Sequence, residues 1–173
     1  MSKDNDQLLI AYFPAKESAE DAAKELKAWD KEYAAIELGA MGIISKGNDG
    51  KVKTETIGSR ATGKGAKWGV LAGLVAGIFT GGIGLVGGAV AGLAVGSLAG
   101  TMVHRSLGMS DEEKQSLEQH LADGGVALAV MAHEDEAVAV ESILSALCDQ
   151  VTRCKLDPET MEHLLSNSTN RDI

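Results

Sequence analysis

Two glycine-containing segments come close to the loops that bind nucleotides. Residues 58–65 (GSRATGKG) nearly match the P-loop, whose backbone N–H groups and lysine hold phosphate oxygens. A P-loop also needs Ser or Thr after the lysine to bind Mg²⁺, and Gly65 occupies that position. Residues 82–87 fit the Gly-x-Gly-x-x-Gly pattern of dinucleotide-binding folds, but no strand is predicted before them. We therefore expect no nucleotide site and no cofactor.

The histidines and cysteines do not form a motif typical of catalysis or metal binding. His133 precedes the acidic residues 134–136, and this order is typical of a helix that begins directly after a strand. Cys148 and Cys154 are too far apart for a Cys-x-x-Cys redox or zinc motif, so we interpret them as reduced thiols near a helix end and a strand. We predict no metal site and no enzymatic activity.

The most regular pattern in the chain is a set of glycines spaced by four residues. On a helix this spacing places each run on one stripe. Glycine costs about 1 kcal/mol in an exposed helix interior, so such runs favour a setting where helix backbones pack closely, above all in lipid. The residues from Trp68 to Val103 include no ionisable side chain. The two runs are Gly65, Gly69, Gly73, Gly77, Gly81 and Gly84, Gly88, Gly92, Gly96, Gly100.

A chain reversal at residues 81–84 would place the two stripes face to face in an antiparallel helical hairpin. Gly73 would then lie opposite Gly96. The arm from Lys64 to Gly81 has 18 residues and the arm from Gly84 to Arg105 has 22. Both are close to the length of about 20 residues that crosses a bilayer. We call these two facing stripes the glycine zipper. The alternative is a hairpin buried between the subunits of a soluble oligomer. The residues predicted at the membrane interface are Arg60, Lys64, Lys67, Trp68, His104 and Arg105.

Charge is distributed very unevenly along the chain. The net charge is −9, yet no carboxylate occurs between Glu55 and Asp111. An acidic protein lacks the clustered cations that nucleic acids require, so we expect no nucleic-acid partner. Basic residues at both ends of the apolar stretch predict a soluble domain on the cytoplasmic side of a bacterial inner membrane. The expected partners are the lipid bilayer and further copies of the chain, and no small-molecule ligand is identified.

Two β-α-β units flank the glycine-rich stretch. The first has strands at 8–13 and 36–45, and the second has strands at 126–131 and 151–156. Shifting the first unit by 118 positions aligns Ala19 with Ala137 and Leu26 with Leu144. Two such units predict an α+β, ferredoxin-like sandwich with an inserted antiparallel glycine-zipper hairpin. We expect residues 1–58 and 110–173 to form the two halves of this domain, and residues 59–109 to form the membrane hairpin.

Two local signals mark further elements. Asn48-Asp49-Gly50 predicts a β-hairpin that pairs the preceding strand with 51–57. A helix should begin at Ser110, because acidic residues follow it, and should end at Gly124-Gly125. Residues from 157 onward are expected to form one more short helix before a frayed end.

The order of these features resembles a bacterial family of small predicted membrane proteins, domain-of-unknown-function family 1269. The resemblance lies in the strand ending at 11–14 (AYFP), the hairpin at 48–52 (NDGKV), Trp68-Gly69 at the start of the glycine-rich stretch, and the late β-α-β unit. It implies membrane association, in some members a stress-response role, and no established activity or catalytic residues.

Our leading hypothesis is a non-enzymatic membrane protein that self-assembles through the glycine zipper. Open sheet edges and a second stripe of small residues beside the glycines favour self-association. One alternative is a pore-forming or membrane-remodelling assembly lined by Thr80, Ser97 and Thr101. The other is a soluble oligomeric scaffold or sensor whose hairpins are buried between subunits.

Overall fold

The computed structural model describes residues 6–32, 41–57 and 109–155. In these ranges the chain has the expected α+β class, with one five-stranded antiparallel sheet and three helices. The elements are β1 (Asp6–Phe13), α1 (Lys16–Glu32), β2 (Met41–Lys46), β3 (Val52–Thr56), α2 (Asp111–Ala122), β4 (Val126–His133), α3 (Glu134–Leu147) and β5 (Val151–Lys155).

The strands are interleaved in the sheet. Their order is β3-β2-β4-β1-β5, and each neighbouring pair is antiparallel. β4 lies between β1 and β2, while β1 lies between β4 and β5. Residues 6–57 and 109–155 therefore contribute to a single sheet, and neither part pairs the two strands that flank its own helix.

The predicted elements agree with the observed ones in type and nearly in length. The first strand begins earlier, at Asp6, and the second is observed at Met41–Lys46 where 36–45 was predicted. Residues 36–40 lie outside the described residues, as does the helix predicted after 157. The helix predicted at Ser110 begins there: Ser110 Oγ accepts the N–H of Glu113, whose carboxylate accepts the N–H of Ser110.

One face of the sheet packs against α1 and α3. Sequence periodicity correctly predicts the buried side of both helices, because side chains three and four apart share one helix face. The aligned pair Ala19 and Ala137 is fully buried, and so is the pair Leu26 and Leu144. Leu147 departs from the pattern because it lies at the last turn of α3 and remains 36% exposed.

The opposite face packs against α2. Side chains alternate between faces along a strand, so Leu8, Ile10 and Tyr12 of β1 point away from α1 and α3. They are buried too, and Leu117 and Leu121 are the buried leucines of α2. β1 is consequently covered on both faces, which explains its nearly continuous apolar sequence.

The β2–β3 hairpin forms where it was predicted. Gly50 N–H donates to the carbonyl of Gly47 at 2.9 Å, and Gly47 N–H donates to the carbonyl of Lys51 at 2.8 Å. Gly50 has φ +76°, a left-handed conformation in which glycine avoids the strain that a Cβ introduces.

Candidate functional site

The glycine zipper and the membrane-interface residues lie outside the described residues. All ten packing glycines and the six interface residues fall within 58–108. The segments that resemble nucleotide-binding loops, 58–65 and 82–87, fall there as well. Within residues 6–32, 41–57 and 109–155, no helix is both long enough and apolar enough to cross a membrane.

The acidic run after His133 forms the first turn of α3. Glu134, Asp135 and Glu136 occupy that turn, which confirms the interpretation of a helix start directly after a strand. Nδ1 of His133 lies 3.5 Å from the carboxylate of Asp135. In the described part of the chain, no three His, Cys, Asp or Glu side chains are arranged to hold a metal ion.

Both cysteines are free thiols at the predicted kinds of position. Cys148 follows the last residue of α3, and its Sγ donates to the carbonyl of Gln150 at 3.3 Å. Cys154 lies in β5 and is fully buried. Burial, together with the nearby charge of Glu113, raises the pKa of the Cys154 thiol to about 12. The reactive thiolate is therefore scarce at neutral pH.

His120 joins α2 to the end of the sheet. Its Nε2 lies 2.9 Å from the carbonyl oxygen of Phe13 and 3.0 Å from that of Val126. Carbonyl oxygens only accept hydrogen bonds, so Nε2 must carry the proton. Phe13 and Val126 are register partners in the β1–β4 pair. One imidazole therefore connects α2 to a strand from each half of the domain.

Tyr12 packs against the imidazole of His120. The two ring centroids are 5.2 Å apart at an interplanar angle of 68°, an edge-to-face arrangement. Burial raises the pKa of the Tyr12 phenol, so the side chain stays neutral at physiological pH. Tyr12, His120, Phe13 and Val126 together form what we call the α2 anchor.

Gly125 provides the space that His120 occupies. A Cβ atom at position 125 would collide with the imidazole ring, at Nε2 and Cε1. Gly124, by contrast, has open space around it but adopts φ +89°. The sequence identified both glycines as a helix terminator, yet only Gly124 is needed for its backbone conformation. Gly125 is needed because it lets the imidazole approach the strand end.

The α2 anchor was not predicted, because its parts are remote in sequence. His120 and Phe13 are 107 positions apart, and a single histidine in a polar helix has no distinguishing pattern. The Nε2 proton is already shared between two backbone carbonyls, so the arrangement favours attachment of a helix over proton transfer. α2 begins three residues after the segment 58–108. The anchor therefore holds the C-terminal end of the helix whose N-terminal end follows that segment.

A sequence comparison identifies a family over more than half of the chain. The family described as "Protein of unknown function (DUF1269)" matches residues 63–168. The matched range begins inside the glycine-rich stretch and includes α2, β4, α3 and β5, but not β1, β2 or β3. No curated protein and no solved structure matches the chain.

Proposed function

Since the chain belongs to DUF1269, a family of proteins of unknown function, we propose its role from its own residues. The proposed role is that of a non-enzymatic membrane protein that self-assembles through the glycine zipper. Residues 59–109 would form the hairpin in the bilayer, and the α+β domain would remain at the cytoplasmic surface of a bacterial inner membrane. A stress-related role follows only from the family resemblance.

The interleaved strand order is the observation that carries this proposal. β3 ends just before the segment 58–108, α2 begins just after it, and both belong to one folded domain. A folded polar domain lies on one side of a bilayer, so both ends of the segment start from the same side. If the segment 58–108 crosses the bilayer, it must therefore cross an even number of times. Two glycine-striped arms with a reversal at 81–84 satisfy that condition.

The same strand order supports a ferredoxin-like domain. Without β3 the order is β2-β4-β1-β5, with α1 and α3 on one face, which is the arrangement of two interleaved β-α-β units. β3 would be an additional edge strand, and α2 an additional helix on the opposite face. The insertion would then fall between the two halves of an otherwise complete sandwich.

Three features of the described residues support a role without catalysis. Cys154 is buried with a raised pKa, His120 is hydrogen-bonded to two carbonyls, and the acidic cluster at 134–136 forms a helix start. Each of these potentially reactive groups has a structural role that accounts for it.

Substitution of the facing glycines tests the proposal. Gly73→Leu combined with Gly96→Leu should separate the two arms, because leucine side chains prevent close backbone approach. We expect the oligomer of the full-length chain, extracted in mild detergent and sized by native mass spectrometry, to dissociate into smaller species. Val70→Leu with Ile78→Leu is the matched control, since both positions lie off the stripes. An unchanged oligomer in the double glycine variant would refute the zipper.

Fractionation without detergent tests the membrane location. The full-length chain should sediment with membranes and resist extraction by high salt and by carbonate. Recovery as a defined particle in the supernatant would contradict the proposal and support the soluble scaffold. Leakage of dye from liposomes that contain the purified chain would instead favour the pore or remodelling assembly.

A further inference from the structure

β3 lies at one edge of the sheet formed by the described strands. Among the strands that the structure describes, it pairs only with β2. Lys53 and Glu55 are exposed on it, and Val52 and Thr54 are half-buried. Edge strands commonly carry charges that discourage pairing with another chain. The positions of Lys53 and Glu55 therefore decide whether these charges repel or attract a strand that pairs with β3.

The hairpin geometry determines which backbone groups point outward. In an antiparallel pair, hydrogen-bonded residue pairs alternate with non-hydrogen-bonded ones. Gly47 N–H donates to Lys51, and Ile57 N–H donates to Met41, so the odd-numbered residues of β3 are bonded to β2. The N–H and C=O groups of Val52, Thr54 and Thr56 therefore point away from β2, toward the free side.

The charges of β3 are self-complementary in one register. If two β3 strands pair antiparallel about Thr54, Lys53 of each copy lies opposite Glu55 of the other. The outward backbone groups of 52, 54 and 56 then face one another as hydrogen-bonded pairs. A register centred on Lys53 or on Glu55 would instead oppose two like charges, which is destabilising.

The other edge strand, β5, lacks this property. Pairing about Arg153 would set that residue against its own copy. Pairing about Cys154 would set Arg153 against Lys155, and pairing about Thr152 would set Arg153 against Val151. None of these registers gives an attractive charge pair across the interface. The two edges are therefore not equivalent, and only β3 has a charge pattern that favours a second copy.

We propose that β3 pairs antiparallel with β3 of a second copy of this chain, centred on Thr54. The two five-stranded sheets then become one continuous sheet with a two-fold axis at Thr54. Glu55 also accepts a hydrogen bond from Lys16 of its own chain, so its carboxylate would lie between two cations. This interface goes beyond the proposed function, because it uses none of the residues in 58–108.

Cysteine cross-linking of the full-length chain tests the interface and its register. Copies that carry Lys53→Cys and copies that carry Glu55→Cys are co-expressed with different tags and oxidised in membranes. Residues in a non-hydrogen-bonded pair have Cα atoms about 4.5 Å apart, within disulfide range. Identical positions lie on a diagonal about 7–8 Å apart, outside that range. We expect the mixed disulfide to exceed either same-residue disulfide by about tenfold. Equal yields, or no mixed disulfide, would overturn the proposal.

Thr54→Pro provides a second, independent test. Proline at position 54 removes an N–H that points away from β2, and its ring lies where the second strand would approach. The hydrogen bonds between β3 and β2 are made by the odd-numbered residues of β3, so they should remain. We expect the mixed disulfide to fall by about tenfold with an unchanged far-UV circular dichroism spectrum. Persistence of the disulfide in a folded Thr54→Pro variant would also overturn the interface.

The two proposals fail in different ways. If Gly73→Leu with Gly96→Leu leaves the oligomer intact while the mixed disulfide forms, the zipper is wrong and the β3 interface stands. The opposite result is that Gly73→Leu with Gly96→Leu causes the oligomer to dissociate, while the cysteine variants that keep both glycines form no mixed disulfide. In that case the β3 interface is wrong and the proposed function stands.

Discussion

Nε2 of His120 lies 2.9 Å from the carbonyl oxygen of Phe13, the last residue of β1. The same nitrogen is 3.0 Å from the carbonyl oxygen of Val126, the first residue of β4. One side chain of α2 thus holds the ends of two central strands that come from opposite sides of the segment 58–108. The attachment of α2 can be tested separately at each of its ends.

His120→Ala should destabilise the domain. The substitution removes a donor shared by two part-buried carbonyls, and such a loss costs about 1–3 kcal/mol. Urea unfolding followed by circular dichroism measures the change. Gln119→Ala is the matched control, because Gln119 is exposed on the same helix turn and its side-chain amide donates to the carboxylate of Asp123 on the same helix. Equal stability of the two variants would show that the anchor contributes nothing.

Gly125→Ala should destabilise the domain through its collision with the imidazole of His120. We expect a loss of about 1–3 kcal/mol in the free energy of unfolding, typical of overpacking. The loss should largely disappear when His120→Ala is already present, because the colliding ring is then absent. Gly124→Ala is the control: its cost arises from φ +89° and should persist in the His120→Ala background. Additive effects of Gly125→Ala and His120→Ala would contradict this account.

Ser110→Ala should weaken the opposite end of α2. The hydroxyl of Ser110 caps the helix by accepting the N–H of Glu113, and loss of an N-cap side chain costs about 0.5–2 kcal/mol. Ser116→Ala, an exposed change in the middle of the same helix, should have almost no effect. Hydrogen exchange should show faster exchange confined to the first turn of α2. Slowed or unchanged exchange there would argue against the capping role.

Stability should fall at alkaline pH because of Cys154. Its thiol has a pKa of about 12 in the folded chain and an ordinary value of 9.0 when unfolded. Below pH 9.0 the thiol keeps its proton in both the folded and the unfolded chain, so the stability that depends on this proton is fully present. Between the two values only the folded state keeps the proton, so stability decreases by up to about 1.4 kcal/mol per pH unit. Urea midpoints measured from pH 8 to 10.5 should fall less steeply in Cys154→Ala. Burial also raises the pKa values of Cys148 and Tyr12, so these two side chains should contribute to the slope that remains.

Local patterns determine most of the individual elements. Apolar runs predict β1 and β4, helical periodicity predicts the buried faces of α1 and α3, and Asn48-Asp49-Gly50 predicts the β2–β3 hairpin. These predictions are correct because each depends on residues within a few positions of one another, where backbone and side-chain preferences act directly. The α+β class follows from the same patterns, since two strand-helix-strand units are visible on either side of the glycines.

The α2 anchor depends on the tertiary structure. Only the pairing of β1 with β4 brings the carbonyls of Phe13 and Val126 together at the tip of α2. Sequence spacing contains no information about that contact, because it is created by a strand order that joins residues about a hundred positions apart. The role of Gly125 follows from the same cause: its missing side chain has meaning only once His120 lies against it.

The sequence by itself determined the strands and helices of the described residues and the N-cap of α2, because those features follow from short-range chemistry. The tertiary structure decided that β4 enters between β1 and β2, that β3 lies at the edge of the described sheet, and that the residues on both sides of 58–108 contribute to one sheet. Those outcomes depend on which apolar strand faces are covered together, and that is a property of the whole folded chain.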